Sequence, residues 1–243
     1  MIGEAPTTTG PPMSLILPPL AVFDLDGTLV DTLPDLIDVL ADTLNELGLP
    51  PLSVEEGRRL VGAGIKPLIV RALAELGRDT AADELERIYA DYIDAYSARI
   101  ARLSRPYPGM EAALDRLAGQ GFRFAVCTNK VTALAVQLLT ELKLIDRFAA
   151  VAGCDRFAMR KPDAGHLWGT IADAGGDPTR TVMVGDSRTD VATARNAALP
   201  VVAVSFGYSD VPPEDLGADR LIDHFDSLPQ AIGELLGSAG HGR

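Results

Sequence analysis

From Leu20 onward the chain alternates between short continuous apolar runs and longer stretches in which apolar residues recur three and four positions apart. Runs such as Ala21-Val22-Phe23 and Val201-Val202-Ala203-Val204 lack the in-and-out alternation of a half-buried strand. They suit strands covered on both faces. The pattern predicts strands over residues 20–24, 123–127, 149–152, 181–184, 201–204 and 220–222. Helices are predicted over 108–120, 132–142, 163–174 and 189–198, bounded by Pro, Gly or capping residues. The fold class expected is α/β, a doubly wound parallel sheet with helices on both faces.

One interval breaks the alternation. Residues 34–105 contain no strand candidate and read as four helical segments, 35–47, 54–60, 65–76 and 80–103. The chain is therefore expected to divide into a loose N-terminal tail (1–19), an α/β core (20–33 and 106–243) and an inserted all-helical cap (34–105). The tail is rich in Thr, Gly and Pro, and its brief apolar run Leu15-Ile16-Leu17 is too short for the apolar stretch of a signal peptide. No apolar run approaches the roughly 20 residues of a membrane-spanning helix.

Composition narrows the functional classes. Among 243 residues, 22 Lys and Arg stand against 34 Asp and Glu, a formal net charge of −12. Such a surface repels phosphate backbones and anionic headgroups, which argues against nucleic-acid and membrane roles. An anionic substrate then needs a local positive site. The two cysteines, Cys127 and Cys154, form neither a disulfide framework nor a zinc motif, and a reducing, cytoplasmic setting is expected.

In an open parallel sheet, ligands gather beyond the carboxyl ends of the strands. Those ends read Asp24-Leu25-Asp26-Gly27-Thr28, Thr128-Asn129-Lys130 and Gly185-Asp186-Ser187-Arg188-Thr189-Asp190, with Lys161-Pro162 at an expected helix start. Four carboxylates at one rim repel one another unless they share a cation, and an all-oxygen donor set with few protein ligands suits Mg²⁺. An open position on such an ion would take a phosphoryl oxygen, which points to a small phosphorylated metabolite.

These four ordered motifs resemble those of the haloacid dehalogenase-like phosphohydrolase superfamily, over about residues 20 to 232. Within it, Val61-Gly62-Ala63-Gly64, Ile69-Val70-Arg71-Ala72-Leu73, Thr128-Asn129-Lys130 and Gly185-Asp186-Ser187-Arg188 are similar to phosphoglycolate phosphatases. The resemblance implies Asp24 as nucleophile, forming an aspartyl-phosphate. It implies Asp26 as general acid and then base, with Lys161 neutralising charge. Thr128, Asn129 and Lys161 would hold the phosphoryl group, and Gly27 would permit a tight turn with backbone N–H groups close to the phosphoryl oxygens. Mg²⁺ would be held by the Asp24 and Asp186 side chains, the backbone oxygen of Asp26, and Asp190 directly or through water. A period of two would place Asp24 and Asp26 on one side if the chain stays extended between them. In the cap, Gly62 and Gly64 are expected in a specificity loop, with Lys66 and Arg71 as candidate substrate contacts.

Plainer readings accompany these. Ser187 to Asp190 is also a capping box, Lys161-Pro162-Asp163 a helix start, and Gly62 and Gly64 helix punctuation. Arg71 is equally a surface ion-pair partner. Cys127 is expected to be a buried apolar residue, Trp168 a core residue, and His166, His224 and His241 structural or surface groups. The rivals to a phosphomonoesterase are a phosphosugar mutase using the same two aspartates, a phosphonate hydrolase using Lys66, a dehalogenase, disfavoured by Asp26, and a binding protein without turnover. Monomer and homodimer both remain open.

Overall fold

A computed structural model describes residues 17–209 and 211–238. Most of the 1–19 tail, and His241, lie outside the described residues. The six expected strands form one parallel sheet: β1 (Leu20–Phe23), β4 (Arg123–Cys127), β5 (Ala150–Ala152), β6 (Thr181–Gly185), β7 (Val201–Val204) and β8 (Arg220–Ile222). Their order is β5-β4-β1-β6-β7-β8. From β1 the chain crosses to β4 and on to β5, whereas from β6 it runs the other way to β7 and β8. The order thus reverses between β1 and β6, the place where open α/β sheets form a crevice.

The strand residues divide by parity between two apolar layers. Ala21, Phe23, Val126, Val184 and Val204 lie in one buried cluster, and Leu20, Val22, Ala125, Cys127, Met183 and Ala203 in the other. Successive side chains of a strand point to opposite faces, so both faces are covered. The first layer packs against α5 (Met110–Gly119), α6 (Thr132–Glu141) and α9 (Leu228–Ser238), and the second against α7 (Ala164–Asp173) and α8 (Arg188–Asn196).

The insert consists of α1 (Leu33–Glu46), α2 (Val54–Leu60), α3 (Ile65–Glu75) and α4 (Ala82–Ser97). The expected 80–103 helix ends six residues early, at Ser97, and beyond it the Asp35 carboxylate accepts from the backbone N–H groups of Leu103 and Ser104 and from the Ser104 hydroxyl. Those bonds turn the returning chain onto the first turn of α1. The insert is also flanked by strands that periodicity did not predict. β2 (Val30–Asp31) pairs antiparallel with β3 (Arg105–Pro106), joining the outgoing and returning chain. Leu36, Leu40, Leu68, Ile69 and Tyr92 of the insert share one apolar cluster with Phe23, Leu25 and Leu29 of the core. Trp168, expected in the core, is half exposed, its indole N–H near the Ala197 carbonyl at 3.4 Å.

Candidate active site

The carboxyl ends of β1 and β6 bring Asp24 and Asp186 together at the reversal point, and the first turn of α8 adds Asp190. Carboxylate oxygens of the three lie within 4.8 Å of one another, and all three residues are buried. Lys161 reaches in from the loop before α7. Its ammonium lies 2.9 Å from Asp24 Oδ1 and donates to Asp190 Oδ1 at 2.6 Å. Lys161 is not itself at a helix start: Asp163 caps α7, accepting from the Gly165 N–H at 2.7 Å, and the helix opens at Ala164.

Three carboxylates face one ammonium, and the electrostatics follow. Burial pushes Asp24 up to about 7, with Lys161 pulling the other way and Asp190 adding to the rise. Burial, then Asp190 and Asp24, holds Asp186 well above the usual carboxylate range. Burial works against the charged form of Lys161, but Asp190 and Asp24 outweigh it and hold its ammonium above the ordinary lysine range. A dry cluster that cannot ionise fully by itself, built entirely from hard oxygen donors, fits a divalent cation.

Asp190 serves as both cap and cluster member. Its Oδ2 accepts from the Ser187 hydroxyl at 2.7 Å and from the Ser187 and Asp186 N–H groups at 3.1 and 3.2 Å, completing a capping box. Its Oδ1 remains for Lys161. Asp186 is fixed by the Tyr208 N–H at 2.6 Å and the Thr28 hydroxyl at 3.1 Å. Tyr208, from the loop after β7, also accepts from the Leu33 N–H through its hydroxyl, so it braces both the cluster and the start of α1. The sequence reading did not single it out.

Asp26 stands apart from this cluster. β1 stops at Phe23, and the chain bends at Leu25, whose carbonyl accepts from the Leu29 and Val30 N–H groups at 3.1 Å. The extended geometry needed for the period-of-two argument is therefore absent. The Asp26 carboxylate meets Lys130 Nζ at 2.9 and 3.2 Å and accepts from the Thr32 hydroxyl at 2.8 Å.

Gly27 lies in a tight turn, as expected. Its N–H donates to the Val30 carbonyl at 2.9 Å and is engaged within the turn. Glycine is required there because φ is +80°, and a Cβ would lie 2.4 Å from Asp186 Oδ2. Thr128 is buried, its hydroxyl accepting from the Lys130 N–H at 3.2 Å. The Asn129 amide group donates to the Lys161 carbonyl at 3.4 Å, while its Oδ1 is buried with no hydrogen-bond donor among the described residues.

Asp24, Asp26, Thr128, Asn129 and Lys130 line a cavity closed on the insert side by Gly62, Gly64, Ile65 and Leu68. At about 20 Å³ it has room for roughly one water. Gly64, with φ of +96°, packs so closely on the core that a Cβ would sit 3.1 Å from the Asn129 carbonyl oxygen. Lys66 lines a second, outer cavity with Tyr89, Cys154 and Arg160, and it pairs with Glu86. Arg71 donates to the Leu60 carbonyl at the end of α2, is exposed, and lines neither cavity. His166 is buried and accepts from the Lys161 N–H through Nδ1 at 3.1 Å. Burial pushes Cys127 up to about 12, consistent with an inert thiol. Among the described residues, no helix is long and apolar enough to cross a membrane.

The profile of the family described as haloacid dehalogenase-like hydrolase matches residues 21–204. The phosphoglycolate phosphatase of Agrobacterium fabrum is 47% identical over 224 residues, covering 92% of this chain and 96% of that protein. That of Mesorhizobium japonicum is 45% identical, covering 92% and 99%. The crystal structure of a predicted phosphoglycolate phosphatase from Haemophilus somnus superposes with a TM-score of 0.81 at 27% identity, covering 89% of this chain and 98% of that one. With a matching profile over most of its length, close relatives and a shared architecture, this chain belongs to the haloacid dehalogenase-like hydrolases.

Proposed function

We propose that the chain hydrolyses a small phosphate monoester, 2-phosphoglycolate, through a phosphorylated Asp24. The observation that carries this reading is Asp24 itself, buried at the strand-order reversal, held by Lys161 and facing a cavity that also presents Asp26 and Thr128. The names of the relatives, phosphoglycolate phosphatases, support 2-phosphoglycolate as the substrate.

In the first half-reaction an Asp24 oxygen bonds to phosphorus, the bond from phosphorus to the ester oxygen breaks, and that oxygen takes a proton from Asp26, which enters the step in its acid form. In the second, water attacks the same phosphorus, gives a proton to Asp26, and the bond to Asp24 breaks. One slow displacement becomes two easier ones. Lys161 offsets charge on the nucleophile and the transferring group, and the Thr128 hydroxyl donates to a phosphoryl oxygen. The Asp24, Asp186 and Asp190 side chains would hold Mg²⁺, with the Asp26 backbone oxygen beside them. When bound, the ion neutralises carboxylate and phosphoryl charge.

The insert residues that close one side of the cavity would open to admit the ester and close to exclude bulk water. Phosphate release from a panel containing 2-phosphoglycolate, hexose 1-phosphates and p-nitrophenyl phosphate, with and without Mg²⁺, tests the reading. We expect metal-dependent preference for 2-phosphoglycolate, and a loss of roughly 10⁴-fold or more in Asp24→Asn with the melting temperature preserved. Substantial turnover by that variant would sink the nucleophile assignment, and conversion of hexose 1-phosphates without phosphate release would favour a mutase.

A further inference from the structure

We infer that Lys130 is a positioning residue for Asp26, and that Tyr96 of the insert completes its hold. The inference rests on the proposed role of Asp26 as general acid. Lys130 follows Asn129 on the core, yet it is buried, only 3% exposed, and its side chain ends among groups from two separate parts of the chain. Its ammonium donates to Asp26 Oδ1 at 2.9 Å and Oδ2 at 3.2 Å, and to the Tyr96 hydroxyl at 2.9 Å. The Tyr96 ring centre lies 4.7 Å away. A lysine has three N–H donors and no acceptor, so these three oxygens use it fully.

The backbone of Lys130 is fixed too. Its N–H donates to the Thr128 hydroxyl at 3.2 Å, and its carbonyl accepts from the Cys154 N–H at 3.0 Å. With both anchor and tip held, the ammonium is a fixed post rather than a mobile surface charge.

The carboxylate it holds is asymmetric. Oδ1 accepts from both Lys130 and Thr32, whereas Oδ2 has the longer Lys130 contact as its one hydrogen bond among the described residues. Oδ2 therefore has the spare capacity to carry a proton toward a leaving oxygen. Lys130 itself neither gains nor loses one. Tyr96 lies on α4 and is fully buried. The orientation of a group on the core is thus set partly by a hydroxyl on the insert, and the full hold exists only with the insert docked.

A merely structural lysine and a positioning one differ in their leaving-group dependence. Glycolate leaves as an alkoxide that needs a proton, whereas p-nitrophenolate leaves without one. In the full-length, Mg²⁺-supplemented protein, we expect Lys130→Met to lower kcat/KM, which reports the first half-reaction alone, by about 100-fold on 2-phosphoglycolate, within the range of general acid catalysis. On p-nitrophenyl phosphate we expect less than about 10-fold. Tyr96→Phe, which keeps the ring and the lysine, should show the same preference with a smaller loss, and it decides the matter if Lys130→Met does not fold. Equal losses of kcat/KM on both esters would overturn the inference. Asp26→Asn run alongside separates the two levels: selectivity there but not in the Lys130 and Tyr96 variants defeats only the positioning role, and its absence in Asp26→Asn defeats the acid assignment as well.

Discussion

The two charged centres of this molecule are built on opposite plans. At the ends of β1 and β6, Asp24, Asp186 and Asp190 cluster around the ammonium of Lys161, which touches Asp24 and Asp190. A short distance along the chain, Asp26 is matched one to one by Lys130. The first centre belongs wholly to the core and has a surplus of negative charge, whereas the second draws on core and insert and is balanced. A surplus in a dry place calls for an outside cation. A balanced pair held by additional hydroxyls fixes geometry instead.

The largest expected effect comes from deepening the surplus. Lys161→Met leaves three buried carboxylates with no ammonium in contact, and we expect a loss of about 3–5 kcal/mol in chelator-treated protein, read as the shift of a urea midpoint. Added Mg²⁺ should recover part of it. If the variant matches the parent in chelator, the cluster is not the electrostatic liability described above.

An intermediate effect separates the two centres by pH. As pH rises through the ordinary carboxylate range toward about 7, the unfolded chain has released its Asp24 proton while the folded chain still holds it. Metal-free stability from this group therefore falls over that window, and Mg²⁺ has most to restore above it. The Mg²⁺-induced rise in melting temperature should be larger at pH 7.5 than at pH 5.5, and should vanish in Asp186→Asn. A rise independent of pH would place the ion elsewhere.

The smallest effect is expected at the balanced centre. The Thr32 hydroxyl makes no capping bond to α1 and serves Asp26 instead. Thr32→Val should cost about 0.5–1.5 kcal/mol in thermal or urea unfolding, with the Mg²⁺-induced rise unchanged. Coupling between Thr32 and that rise would show that the two centres act as one.

The core was legible in the sequence because each strand is a continuous apolar run ending in small or acidic residues. Even the ends of β4, β7 and β8 fall where the pattern puts them. The β2 and β3 pair was not, since two residues per strand carry no period. The motif residues Asp24, Lys161, Asp186 and Asp190 do converge, because the sheet topology gathers strand ends. The company of Asp26 was hidden: Lys130 and Tyr96 lie 104 and 70 positions away, and neither follows from any local spacing. The engaged N–H of Gly27 and the bracing by Tyr208 were hidden for the same reason, being matters of tertiary packing.

The double duty of Asp190 has a dynamic consequence. Helix ends ordinarily fray at little cost, opening and closing many times before the rest of a domain loosens. Here the first turn of α8 is fastened by the same carboxylate that faces Lys161. Fraying would carry away one of the two anions touching that buried ammonium, so amide protection at Ser187 and Asp190 should approach that of the central strands, making this helix end one of the last parts of the molecule to loosen.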